Sequence, residues 1–71
     1  MSEFEVPFVT ECIRTFGMRF DMSRQAAYHY LRQFKGLDFL IEFYDVEHLQ
    51  SIEDTLDDLI LVCQRNGGQL A

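Results

Sequence analysis

Glu42, Asp45 and His48 recur at three-residue intervals. Two carboxylates and an imidazole are metal-ligand chemistry if one helix carries them along a single edge. The set falls short of a site. His29, the only other histidine, lies in a different segment, and three ligands on a drifting edge leave the coordination shell open. A helix end accounts for the same residues, with Asp45 capping the next turn and His48 bonding a carbonyl near the negative end of the dipole. A thiol nucleophile is the second chemistry to weigh. Cys12 or Cys63 would have to stand exposed beside His29 or His48 to lose its proton, yet both fall on apolar helical stripes. The chain has no glycine-rich phosphate loop, paired-cysteine motif or serine elbow. With 71 residues it is too short to enclose a substrate pocket of several hundred cubic ångströms. No enzymatic activity, catalytic residue, cofactor or metal is expected.

Charge points toward a binding surface instead. Residues 1–35 hold five basic side chains against four acidic ones, whereas residues 36–71 hold Arg65 alone against eight acids. The total is −6. Phosphate repels such a chain at long range, and the basic footprint of a nucleic-acid binder is missing. A helix-turn-helix reading around Gly36 would make "DFLIEFYDVEH" the recognition helix, and that stretch lacks the Arg, Lys, Asn and Gln that read base edges. Only Arg24, Arg32 and Lys35 offer a weak basic edge, so a transcription-linked DNA-binding module is the runner-up. A basic protein surface is the better complement to the acidic half.

The elements that must carry these residues are helical. Pro7 suits the start of a first helix, whose stripe is Phe8, Val9, Cys12, Ile13, Phe16 and Phe20. Gly17 inside it marks either a close packing contact or a fray. A second helix is capped by Ser23 or Asp21, carries Ala27, Tyr30, Leu31 and Phe34 inward, and ends at Gly36 as the expected left-handed residue. Asp38 then caps a third segment with apolar side chains nearly all round, which predicts a central, buried helix with Phe39, Leu40, Phe43 and Tyr44 in the core. The fourth starts at Ser51, with Asp54 three residues on as in a capping box. It buries Ile52, Leu56, Leu59, Ile60 and Cys63, and leaves Leu61 and Val62 off the stripe. The expectation is an all-α single domain of four helices over 1–71, with an ordered core at about 7–66. The N-terminal stretch "MSEFEVPFV" has no signal-like apolar run and no segment is long enough to span a membrane. A cytoplasmic location with free thiols is therefore expected.

The pattern "MSRQAAYHYLRQFKGLDFLIEFYDVEHLQSIEDTLDDL" resembles a family of short bacterial proteins of unknown function. The resemblance runs from about residue 8 to 65 and rests on Cys12, Ile13, Met22, Ser23, Leu31, Gly36, Asp38, Leu40, Phe43, Tyr44, Asp45, Val46, His48 and Asp58. Its most specific part is Phe-Tyr-Asp-Val-x-His. Leu49 departs from the small polar residue more usual there, which puts the turn after His48 in question. Members look like companions of a larger protein with an ADP-ribosyltransferase-like domain, in an arrangement similar to a toxin and its neutralising partner. The resemblance thus implies an antitoxin-like interaction module. Its expected partner-binding residues are Asp45, His48, Glu53, Asp54, Asp57, Asp58, Leu61 and Val62. A homodimer through Leu61, Val62 and their neighbours is a further alternative, since small domains gain core by associating.

Overall fold

Helix α1 spans Glu5–Arg19, starting just ahead of Pro7. The proline still lies in the first turn, where its missing N–H has no helical acceptor to lose. α2 is Arg24–Gln33, α3 Gly36–Glu42, α4 Tyr44–Glu47 and α5 Ile52–Arg65. The computed structural model describes residues 3–69; among them the secondary structure is all helical, and four of the five helices have seven residues or more. No helix of the described residues is long and apolar enough to cross a membrane.

The local stop and start signals act at short range. The Ser23 hydroxyl accepts from Ala26 N at 3.1 Å, and that of Ser51 from Asp54 N at 3.1 Å. Both satisfy a backbone donor that the helix leaves orphaned. Asp21 is not a cap: it takes the left-handed conformation, φ 54°, just past α1. This lets Met22 N donate back to Gly17 O at 2.8 Å, a Schellman closure. α5 ends the same way, with Gly67 at φ 98° and Gly68 N on Cys63 O at 2.7 Å.

Gly17 therefore marks a close contact and not a fray. A Cβ at this position would lie 2.8 Å from the Met22 carbonyl oxygen, which is backbone and held by the turn. Gly17→Ala is expected to lose about 1–2 kcal/mol, the overpacking cost outweighing alanine's helix preference. A thermal melt followed by circular dichroism checks this, and an unchanged or raised midpoint would contradict it.

Two expectations need correction around the third segment. Gly36 is not the left-handed residue; Lys35 takes that role at φ 71°, and Gly36 opens α3. What requires glycine at 36 is space, because a Cβ there would stand 2.8 Å from Leu31 Cδ2 and 3.3 Å from Cys63 Sγ. Nor is the segment one helix. It breaks at Phe43, whose φ of −107° and ψ of 24° end α3 and start α4. α3 is central, packing against α1, α2, α4 and α5, but of the four aromatic and aliphatic side chains expected in the core only Leu40 is fully buried. Phe39 and Tyr44 are partly covered, and Phe43 is 45% exposed. A helix of seven residues packed against short neighbours finds too little partner surface to cover side chains pointing every way.

The core is Val9, Cys12 and Phe16 from α1, Ala27 and Leu31 from α2, Leu40 from α3, and Leu56, Leu59 and Cys63 from α5. Around it runs an aromatic chain in which Phe16 meets Phe20 at 4.8 Å and Tyr30 at 5.7 Å, and Tyr30 meets Phe34 at 4.7 Å. Large rings supply the most buried area per residue, which a short chain needs.

Candidate functional site

α4 has only four residues, and its last one is a glutamate that is 5% exposed. The turn 48–51 brings the chain back and Ser51 caps α5, so the first turns of α5 run beside the end of α4. Thr55 and Asp58, three apart on α5, face the same way. The Thr55 hydroxyl donates to the Glu47 carbonyl oxygen at 3.1 Å. Gln50 Nε2 donates to Glu47 Oε1 at 2.9 Å and to Asp58 Oδ2 at 2.8 Å. One side-chain amide thus brackets two carboxyl groups, which sets them close together.

Two anions that close, one of them almost out of water, do not both ionise easily. Burial raises the Glu47 carboxyl most, its hydrogen bond and charge contact with Asp58 raise it further, and Gln50 and Thr55 pull weakly the other way, leaving it at about 7 against an ordinary 4.5. Glu47 therefore holds its proton well above the usual carboxylate range.

These two acids line a groove of about 270 Å³ together with Phe39, Leu61, Val62 and Arg65. Leu61 is 49% exposed. The Phe39 ring lies 5.3 Å from that of Phe43 and continues the apolar surface onto α4. Arg65, the only cation of residues 36–71, lines the groove, yet among the described residues no ion pair joins it to either acid.

Of the residues expected to bind a partner, the structure gathers Asp58, Leu61 and Val62 here and disperses the rest. Asp57 pairs with Arg19 of α1 at 3.2 Å. Glu53 and Asp54 occupy the exposed first turn of α5, where the dipole favours acids. Asp45 is exposed on α4. His48 donates from Nδ1 to the Tyr44 carbonyl oxygen at 2.6 Å and stacks on the Tyr44 ring at 4.3 Å and 2°. Tyr44 in turn bonds the Phe4 carbonyl oxygen at 3.2 Å and meets Phe8 edge-on. His48 is thus part of a clamp between α4 and α1. Glu42 closes α3 before the break, so it shares no continuous edge with Asp45 and His48. Among the described residues, no group of three or more His, Cys, Asp and Glu is placed to hold a metal ion.

Both cysteines are free and buried. Desolvation pushes Cys12 to about 12 and Cys63 to about 11, the latter against a backbone hydrogen bond from Gly36. Neither has thiolate character at neutral pH. A second groove of about 320 Å³ lies between α1 and α2, lined by Thr10, Ile13, Arg24, Gln25, Tyr28 and His29.

Residues 7–66 match a family described as "Protein of unknown function (DUF3791)". The chain belongs to this family. The matched stretch runs from the first turn of α1 to the C-cap of α5, so every residue of the carboxyl groove lies within it. No curated protein and no solved structure matches the chain.

Glu47, Gln50 and Thr55 were missed as site residues in the sequence. Thr55 was readable, because it falls three residues after Ile52 and one before Leu56 on the inward stripe of α5. Glu47 carries no such signal; it is the unspecified position within Phe-Tyr-Asp-Val-x-His, flanked by residues that are themselves exposed.

Proposed function

We propose that the chain is a protein–protein interaction module that docks a partner in the groove between α3, α4 and α5. The observation that supports this is the juxtaposition of the exposed Leu61 and the half-buried Val62 and Phe39 with an acidic floor formed by Glu47 and Asp58. Folding alone does not require an apolar wall there, and apolar surface rimmed by charge is the usual composition of an interface. The acidic second half suits a basic partner surface.

At finer grain, the partner is a larger bacterial protein with an ADP-ribosyltransferase-like domain, and this chain is its neutralising, antitoxin-like half. The sequence resemblance supports that reading. So does the charge: a nucleotide cleft presents donors and cations to phosphate, and an acidic face laid over it competes for them. Both proteins would meet in the cytoplasm.

The test places the photo-crosslinking residue benzoylphenylalanine at Leu61, and separately at Gln25 in the other groove, in the cell the chain comes from. The expected result is one covalent adduct with a different protein from position 61 and none from 25. An adduct containing only a second copy of the chain would replace the two-protein reading with a homodimer. No adduct from 61 would remove the groove as a docking site.

A further inference from the structure

We infer that the docking surface continues beyond the groove over an apolar ridge of Phe43, Val46 and Leu49. The partner that covers both is a different protein, with an apolar cleft edged by arginine or lysine. The inference rests on the groove being the docking site proposed above.

The ridge follows from the break at Phe43. Val46 N donates to Phe43 O at 3.0 Å, and Leu49 N donates to Val46 O at 3.2 Å. Bonds from i to i+3 set side chains three apart on the same side, so these three stand in a row. They are 45%, 62% and 79% exposed, rising along the row. A single apolar side chain on a surface needs no explanation, but a contiguous row marks an interaction site. The row adjoins the groove at two points. The Phe39 ring, which lines the groove, lies 5.3 Å from that of Phe43. Glu47 on the floor and Gln50, which bridges its two acids, each come one residue after Val46 and Leu49. One residue is about 100° of helical turn, so the ridge stands on the edge of the floor.

Area argues that ridge and groove are covered together. A stable complex buries about 800 Å² on each partner, roughly a sixth of the 4640 Å² that this chain exposes in all. Such an interface takes about 20–30 residues a side, whereas six line the groove and one of them, Glu47, is almost wholly covered. A partner seated there must rest on neighbouring surface as well. The ridge is the neighbouring surface whose burial removes most apolar area from water.

Charge selects the occupant. Glu42 and Asp45 are exposed, and each directly precedes a ridge residue. Residues 38–64 carry eight acids without one lysine or arginine. A two-fold dimer would lay the ridge on its own copy and bring these acids against their counterparts, which like charge opposes. A cleft edged by cations meets the acids instead, while its apolar bottom takes the ridge.

The experiment places benzoylphenylalanine at Val46, Leu49 and Leu61 of the full chain, each separately, in the cell it comes from. Mass spectrometry then identifies the cross-linked segments. All three positions are expected to join one and the same protein, different from this chain, at segments that carry arginine or lysine. That protein, purified, is titrated with the chain and its variants. Val46→Ala and Leu49→Ala should each weaken binding by about tenfold or more. Asp45→Lys should weaken it and flatten its dependence on salt. Met18→Ala, at a site 69% exposed on α1, should bind as the wild type does. Circular dichroism melts confirm that each variant is folded. An adduct from 61 with none from 46 and 49, or undiminished binding by both ridge variants, would overturn the ridge and leave the groove standing. Adducts from 46 or 49 containing only a second copy of the chain would overturn the choice of occupant, and undiminished binding by Asp45→Lys would overturn the cationic edge. If no adduct forms from 61, the groove fails as a docking site and the inference with it.

Discussion

Glu47→Gln is expected to stabilise the protein at pH 8 by about 2–3 kcal/mol and to change it little at pH 4. In the unfolded chain this carboxyl has its ordinary value of 4.5, and in the folded chain it stands at about 7, raised by burial first and by Asp58 second. The native state binds the proton more tightly, so the contribution of Glu47 is fully present below pH 4.5. It is lost progressively as the pH rises to about 7, after which the loss levels off. Glutamine has nearly the same shape and cannot ionise. Its amide can donate to Asp58 in place of the carboxyl proton, so it keeps the clasp and removes the penalty. For a domain of this size, each kcal/mol moves the melting temperature by about 4–8 °C. Melts of wild type and variant across pH 4–8 should diverge steadily above pH 5. Parallel curves would show that Glu47 ionises normally and that water reaches it freely.

Phe16→Ala is expected to cost about 3–5 kcal/mol, enough to abolish a cooperative transition at 37 °C. Phe16 is fully buried and is the largest of the wholly covered side chains. Its ring touches Phe20 within its own helix and Tyr30 across the α1–α2 contact, so truncation removes both partners' packing and leaves a cavity between two helices. The surroundings cannot collapse cheaply, because Gly17 already holds the α1–α2 turn at close approach. Urea unfolding should show the midpoint falling sharply or the baseline disappearing. Leu49→Ala, at a site 79% exposed, is the control and should stay within about 0.5 kcal/mol of wild type. A loss below about 1 kcal/mol for Phe16→Ala would mean that the aromatic chain is not the centre of the fold.

Features governed by neighbours within a turn or two were legible from the residues. The inward stripes of α1, α2 and α5 follow from apolar spacing, and both serine caps from a hydroxyl standing before an amphipathic run. The burial of Cys12 and Cys63 follows from the same periodicity. The amphipathic reading also singled out Leu61 and Val62, because they lie off their own helix's stripe; their position on a groove wall needed the other helices.

The remaining features depend on pairs distant in sequence. Whether Phe43 and Val46 are core or surface turns on how much neighbouring surface α3 and α4 meet, and a break at Phe43 leaves them 45% and 62% exposed. Gly36 looks like a helix stop in sequence, but its role is set by Leu31 and by Cys63, a residue of the last helix. Glu47 reads as one more acid in an acidic half. It becomes the centre of the candidate site because α5 returns beside it with Thr55 and Asp58, and because one amide can reach both carboxyls. Hydrophobic periodicity records which way a side chain points from its own helix. It carries no information on which other charge the folded chain will place against it, and that distance is what sets the energy of an ion in a nearly dry site.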